Sequence, residues 1–468
     1  MPPSPRSADR PLRRVLNVLA EPVRTESRAL LNRNWHALPE SLRTPEQMLG
    51  VQGNGCGATI GAMPRCDFAC RGCYLGEAAN RIPAEPVEAI MAQMDALRPI
   101  LGPDGNLQLT DGEVTLRPPD EVIALLRHAH SLELVPMLMT HGDSFRRRPG
   151  LLERYLSDGE LVEVSIHVDT TQRGRLGAAY KGATTEAQLN PLRDEFVQLL
   201  TEAQQATGRS LRAATTMTVT RDNLDGVHDV MRWLVGGQRV FRMISFQPIA
   251  QVGRTENGFG GGVTGDALWW RIAFALTNGN RPAAEALLRS QVWFGHPSCN
   301  RILHGLAAHR AGEAPVFHAL RPSLDEPHAD TVHEFFARFG GVSFKTDTRR
   351  TAIARVLGML LREPRFVLSR LPGYFWHWLH RLTPGAPLTA LRALMSGALR
   401  VQPLVIVSHH FMSAEELGTE EGKARLAQCV FHVPVNGELV SMCEVNALGV
   451  RDRYYAELAH AEGDAVVV

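Results

Sequence analysis

The chain has 468 residues, enough for one large core and an appended unit. Its 50 Lys and Arg against 49 Asp and Glu leave a formal charge of +1, which argues against a broadly basic nucleic-acid binder and against an acidic tail. No apolar run approaches the roughly 20 residues of a membrane span, no signal-type apolar core follows the Pro- and Arg-rich N-terminus, and seven cysteines are few and odd in number for a disulfide framework, so a reducing, cytoplasmic setting is expected.

Taken in chain order, residues 1–50 read as an N-terminal helical arm. Residues 51–255 alternate short apolar strands, predicted at 58–63, 107–109, 134–140, 161–168, 213–219 and 241–246, with helices at 86–101, 120–130, 151–156, 186–206 and 224–235. Six strands in βα alternation predict an α/β fold, a partial (βα)6 TIM-type barrel. Gly258, Gly260, Gly261 and Gly262 read as a linker into a mainly helical extension, 256–345. Residues 346–402 form a basic, apolar segment whose helices break at Pro364, Pro372 and Pro384. Residues 403–468 are expected to form a small C-terminal unit with strands at 404–407 and 437–442.

The strongest local signal is Cys66-Asp-Phe-Ala-Cys70-Arg-Gly-Cys73, directly after the first predicted strand. Three thiolates on one loop can bind three irons of a [4Fe–4S] cube and leave the fourth iron open. An open iron can chelate the amino and carboxylate groups of methionine in S-adenosylmethionine (SAM). A three-cysteine zinc site is the competing reading, but it needs a fourth ligand, and no His lies between Cys56 and Cys73.

Cys66 to Tyr74, followed by Thr110-Asp111-Gly112-Glu113 after the second strand, resembles the radical SAM superfamily. The resemblance implies a reductively cleaved SAM, a 5′-deoxyadenosyl radical, and a one-electron donor of ferredoxin or flavodoxin type. It places Glu113 and the backbone at Asp111 and Gly112 on the methionine amino group. The aromatic that often precedes the third cysteine is replaced by Gly72, and Tyr74 is the alternative ring near adenine. Ser165, His167 and Asp169 at the fourth strand end, and Gln247 at the sixth, match positions that reach the ribose, carboxylate and adenine. His141 at the third strand end reads equally as a hydrogen-bonded loop histidine or a catalytic one.

Cys429 and Cys443 flank a predicted hairpin at Asn436-Gly437, which would bring the two thiols together. With Cys299 and Cys56 they are candidates for an auxiliary [4Fe–4S] cluster, with His296 or His432 as substitutes for the fourth ligand; buried core thiols are the plain alternative. Ser245-Phe-Gln247-Pro248, Pro297-Ser-Cys299, His410-Phe-Met412 and Ser441-Met-Cys443-Glu-Val-Asn446 resemble the branch containing the tetraether lipid synthases. That branch implies an alkyl or lipid substrate and C–C bond formation. The other readings are modification of a peptide or small molecule, and an iron–sulfur sensor without turnover.

Between Arg349 and Arg400 stand nine arginines and one acid, a net charge of +8. Interleaved Leu, Phe, Tyr374, Trp376 and Trp378 give the composition of a helix lying in a membrane interface, a peripheral location at the inner face of the membrane. A helical bundle with a solvated arginine face accounts for the same pattern. No Lys-rich groove or RNA-binding motif accompanies it, so a nucleic-acid partner is not expected.

Overall fold

The computed structural model describes residues 11–55, 57–255, 262–345 and 347–465. Cys56 and the linker glycines Gly258, Gly260 and Gly261 lie outside the described residues. The N-terminal arm is two helices, Pro11–Ala20 and Thr25–Ala37, followed by a short 3-10 turn.

Six parallel strands follow in chain order: β1 (Gly57–Gly61), β2 (Asn106–Thr110), β3 (Val135–Thr140), β4 (Glu163–His167), β5 (Arg212–Val219) and β6 (Phe241–Pro248). Leu107 and Leu109 on β2, and Val164 and Ile166 on β4, are fully buried under the flanking helices. The intervening Gln108 and Ser165 face the other way, toward the cleft, so each of these strands alternates an apolar face under the helices with a polar one. The helix Pro119–Ser131 shows the complementary pattern, burying Val122, Ile123, Leu125, Leu126 and Ala129 at helical spacing. Pro119 opens it, acids fill its first turn and histidines its last, the polarity that its dipole favours. The α/β half-barrel is therefore as the sequence predicts.

The sheet extends further than the βα repeat. β7 (Asn300–Arg310), β8 (Val316–Ala319), β9 (Leu399–His409), β10 (Phe431–Val435) and β11 (Glu438–Ser441) complete eleven strands in the order β11-β10-β1-β2-β3-β4-β5-β6-β9-β7-β8. β9 pairs parallel to β6 and β10 parallel to β1, while β7 runs antiparallel to β9 over its whole length. The mainly helical extension 256–345 also contributes two strands, β7 and β8, and the strands of residues 403–468 join the main sheet. Asn436 and Gly437, both at positive φ, form the two-residue turn of the β10–β11 hairpin as predicted.

β9 and β10, which lie on opposite flanks of the six-stranded half-barrel, approach each other. Beyond the end of β9, Phe411 packs its ring 6.0 Å from Phe431 at the start of β10, and His409 lies at the same distance from it. The basic segment forms four helices, Arg349–Arg362, Pro364–Ser369, Leu371–Leu382 and Pro387–Ser396. Asp325 ties the helix Glu326–Phe339 to this bundle by accepting from His328 Nδ1 (2.7 Å) and pairing with His377 Nδ1 (3.3 Å). Among the described residues no helix is long and apolar enough to cross a membrane.

Candidate active site

β1 runs into the loop that carries Cys66, Cys70 and Cys73, and backbone bonds shape that loop. Cys66 N–H donates to Asn80 Oδ1 (2.9 Å), Ala69 N–H to Arg173 O (2.8 Å), and Arg71 N–H to Thr171 O (3.1 Å). Phe68 is buried and stacks on His141 with centroids 3.8 Å apart. All three thiols are half-buried and border one cleft of about 1360 Å³ including its open mouth. Burial pushes each thiol up, Cys70 to about 12 with added repulsion from Cys73 and Asp169. Metal loading must therefore displace protons held tightly by burial.

The donor set fits a cluster better than a single ion. Sulfurs around one tetrahedral ion sit about 3.8 Å apart, given Zn–S bonds of about 2.3 Å, whereas thiolates on different irons of a cube are separated by roughly 6 Å. Among the described residues, the group at this loop with donor atoms within 4.8 Å of one another is Cys66, Asp67 and His141; Cys70 and Cys73 do not join it. That trio is already held by hydrogen bonds. His141 Nε2 pairs with Asp67 Oδ1 (2.7 Å), its Nδ1 accepts from Asp143 N–H (3.1 Å), and Arg147 binds the other Asp67 oxygen. The bond from His141, with the Arg147 charge, holds the Asp67 carboxyl well below its usual range despite burial. His141 thus bridges the thiol loop and the turn after β3, and it also borders the cleft.

The turn after β2 packs directly on the thiol loop. Glu113 N–H donates to Arg65 O (2.7 Å), and a side chain at Gly112 would collide with that same carbonyl, so only glycine fits. Asp111 adopts φ +69°, and its buried carboxylate takes Arg451, Tyr455 OH and Tyr74 OH (3.1 Å) as partners. Glu113 is fully buried beside the cleft. One of its oxygens accepts from Thr115 N–H (3.2 Å), Thr115 Oγ1 (2.5 Å) and Thr140 Oγ1 (2.6 Å), the other from His141 N–H (2.9 Å), with His141 Nε2 3.2 Å from it.

A Cβ at Gly72 would approach Ile249 Cδ1 to 3.0 Å, so a larger side chain at this point would require Ile249 to shift. Tyr74 borders the cleft, but its hydroxyl is tied to Asp111 and Arg451 lies 5.2 Å from its ring centroid.

Ser165, His167 and Gln247 reach the same cleft from β4 and β6, with Ser165 Oγ bonded to Thr216 Oγ1 (3.0 Å). Asp169 is buried behind His167, bonding its Nε2 (2.5 Å) and accepting from Thr218 N–H (2.7 Å) and Thr171 Oγ1 (2.6 Å). Burial works to raise its carboxyl, but the His167 charge and these bonds hold it at about 2. The sequence reading missed Thr59, Gln108, Thr216 and Thr218, which point inward from β1, β2 and β5, and Arg254, whose N–H bonds Cys73 O (3.1 Å). Alternation along the strands was the available signal for the first four; nothing local marked Arg254.

Cys299, Cys429 and Cys443 lie within electrostatic reach of one another where β9 approaches β10. Cys429 lies in the electrostatic field of both Cys443 and Cys299, and burial pushes Cys429 to about 12 and Cys443 to about 11. Met412 N–H donates to Cys443 Sγ (3.4 Å). Arg425 Nε donates to Cys299 Sγ (3.4 Å) and its Nη2 to His410 O (2.6 Å). His296 Nδ1 accepts from Ser298 N–H (3.2 Å), and His432 sits on β10.

The radical SAM superfamily profile matches residues 60–234, which contain both the thiol loop and the Asp111-Gly112-Glu113 turn. No curated protein matches the chain. Among solved structures, similarity is found to SuiB of Streptococcus suis (12% identity, TM-score 0.33, 48% of this chain and 47% of that one). It is also found to hexahistidine-tagged anSMEcpe with bound AdoMet (12%, 0.33, 48% and 57%). A third is the FeFe-hydrogenase maturase HydG of Carboxydothermus hydrogenoformans (12%, 0.34, 78% and 85%). The chain thus spans about half the length of the first two.

Proposed function

We propose that the chain is a radical SAM enzyme, since the profile of that superfamily, whose enzymes use a [4Fe–4S] cluster, SAM and a one-electron reductant, matches residues 60–234, and that the following residues carry the chemistry. Cys66, Cys70 and Cys73 would hold the cluster. When bound, it supplies one electron to SAM, releasing methionine and a 5′-deoxyadenosyl radical able to take hydrogen from an unactivated aliphatic carbon. Glu113 would accept a hydrogen bond from the methionine amino group in place of its longer contact to His141 Nε2, which keeps its shorter bond to Asp67. Arg254 pairs with the methionine carboxylate; among the described residues it is the one Lys or Arg bordering the cleft. Ser165, His167 and Gln247 contact the nucleoside, with Asp169 fixing the His167 ring and Asp111 fixing Tyr74. Cys299, Cys429 and Cys443 would hold an auxiliary cluster, with Arg425 donating to a sulfur.

The observation that carries this reading is the convergence of three loop thiols, the Asp111-Gly112-Glu113 turn and polar side chains from β4 to β6 on one cleft. Anaerobically reconstituted, reduced protein should convert SAM to 5′-deoxyadenosine, scored by chromatography; absence of product in protein loaded with iron and sulfide would refute it.

For the substrate, we propose a lipid or alkyl chain with C–C bond formation, reached from the membrane surface. Support comes from the exposed Val356, Leu357, Leu361, Leu368, Phe375 and Trp376, interleaved with exposed Arg349, Arg350, Arg362 and Arg365. Arginines beside exposed aromatic and aliphatic side chains suit an anionic bilayer surface. A specific observation favours a second reading, a peptide or small polar molecule: the strands present Thr59, Gln108, Ser165 and Thr216 to the cleft. Incubation with SAM and either a lipid extract or a polar extract, read by mass spectrometry, separates the two.

A further inference from the structure

The last helix of the chain, Val450–Ala465, packs against the turn after β2. Arg451 and Tyr455, four residues apart and so on one face of it, both bury their side chains at the Asp111 carboxylate. Asp111 Oδ2 accepts from the Arg451 guanidinium and the Tyr455 hydroxyl, and its Oδ1 accepts from Tyr74 OH (3.1 Å). Gly61, the last residue of β1, leaves room for this cluster. A Cβ there would overlap Asp111 Oδ2 and lie 3.2 Å from the Tyr455 hydroxyl. The rest of the guanidinium is engaged as well, Nε donating to Asn446 Oδ1 (3.2 Å) and Nη2 lying 3.6 Å from Met442 Sδ. Asp111, Gly112 and Glu113 border the cleft, whereas Arg451 and Tyr455 do not.

At φ +69° Asp111 sits in the left-handed region, which a non-glycine residue keeps when its surroundings hold it there. The two residues after it have no slack. Glu113 N–H is bonded to Arg65 O (2.7 Å), and Gly112 lies against the same carbonyl. A movement of Asp111 therefore passes straight to the backbone of Gly112 and to the Glu113 side chain. A buried carboxylate without its cation is costly, and among the described residues Arg451 is the cation paired with Asp111. Deprived of it, the carboxylate is driven toward water at the cleft, and the turn that depends on its present conformation moves with it. Tyr455 ties the same helix to the thiol loop, since it packs with Leu75, Ala79 and Ile82 just beyond Cys73.

We propose that Arg451 and Tyr455 are positioning residues for the methionine end of SAM: by holding the Asp111 carboxylate against the last helix they fix Gly112 and Glu113 where the amino group is received. This rests on Glu113 being the residue that meets that amino group. The last helix is then part of the SAM site, although none of its described residues borders the cleft.

The test is anaerobic equilibrium dialysis of SAM against reconstituted full-length protein, with the electron paramagnetic resonance of the reduced cluster read before and after SAM is added. Arg451→Met keeps an apolar stem and removes the charge. It should weaken SAM by about tenfold or more and blunt the spectral change, with iron content and circular dichroism at the wild-type level. Arg451→Lys returns a cation to Asp111 without the other contacts of the guanidinium, and should bring SAM affinity back to within about threefold of wild type. Tyr455→Phe removes one hydroxyl, keeps the ring, and should weaken SAM by about threefold. Wild-type affinity in a folded, iron-loaded Arg451→Met protein would overturn the inference and leave the proposed function standing. So would a folded Arg451→Lys protein that binds SAM no better than Arg451→Met, because the loss would then be one of packing. If Arg451→Met does not fold, Tyr455→Phe decides, and wild-type affinity in it overturns the inference. No saturable SAM binding by iron-loaded wild type would overturn the proposed function, and this inference with it.

Discussion

The two thiol groups are assembled in opposite ways. Cys66, Cys70 and Cys73 share one loop, and their spacing needs only the turn after β1 and its backbone bonds to residues 171 and 173. Cys299 precedes β7, Cys429 precedes β10, and Cys443 lies in the helix Met442–Ala447, so bringing them together requires both flanks of the half-barrel to be in place. Damage to that closure should therefore erase the second group and spare the first, whereas damage to the first loop should leave the second intact.

The largest expected effect comes from the loop. Cys66→Ala, Cys70→Ala or Cys73→Ala should reduce 5′-deoxyadenosine formation by at least about 100-fold, because each removes one of three cluster ligands. Circular dichroism should be unchanged. Normal product from any of the three would overturn the assignment.

The next effect is stoichiometric. Reconstituted wild type should carry about eight irons per chain, and both the Cys66/Cys70/Cys73 triple alanine variant and Cys429→Ala/Cys443→Ala about four. A wild-type value near four, with none left in the triple variant, would make the second group ordinary core thiols.

A third prediction concerns the link between the regions. Arg451, in the helix Val450–Ala465, is buried against Asp111 beside the first loop. Arg451→Met leaves that carboxylate buried without its cation, a loss of about 3–5 kcal/mol, measurable by urea unfolding. Adding Asp111→Asn should recover a substantial part of it. No recovery would mean that the pair is not coupled.

Acid should act on the later strands. Burial lowers both His304 on β7 and His318 on β8 to about 4. Unfolded histidines titrate near 6.5, so between about pH 6.5 and pH 4 the unfolded state binds more protons. The stability these neutral rings contribute is present above about 6.5 and is lost as pH falls toward 4, roughly 1–3 kcal/mol for each. The urea midpoint should drop across this window, and His304→Leu/His318→Leu should flatten the drop; an unaltered pH slope would contradict it.

The smallest effect separates two neighbouring tryptophans. Trp378 is buried, with Arg381 4.8 Å from its ring centroid, while Trp376 is exposed. Trp376→Ser should leave stability within about 0.5 kcal/mol while reducing sedimentation with anionic vesicles at high salt. Trp378→Ser should instead lower the unfolding midpoint. Equal vesicle binding by wild type and Trp376→Ser would remove this side chain from the docking face.

Much of the first region was legible in the sequence. The βα alternation, the thiol spacing and the Asn436-Gly437 turn are local patterns, and each appears where expected. β7 was not recognised, because His304, Gly305 and Ala307 interrupt the apolar alternation that marks a strand. The bonds that Asp111 makes to Tyr74, and that Thr140 and His141 make to Glu113, were not legible in the sequence, because they join segments far apart in the chain.

The sequence by itself determined the superfamily resemblance, the half-barrel and the first thiol loop, because spacing, periodicity and turn chemistry act over a few neighbouring residues. Only the tertiary structure decided that β9 lies beside β6 and β10 beside β1, that Cys299 comes within electrostatic reach of Cys429 and Cys443, and that Trp378 is buried while Trp376 is not. Those outcomes depend on contacts between segments far apart in the chain. Two residues apart on a helix point in nearly opposite directions, and what packs against each is supplied by another part of the fold.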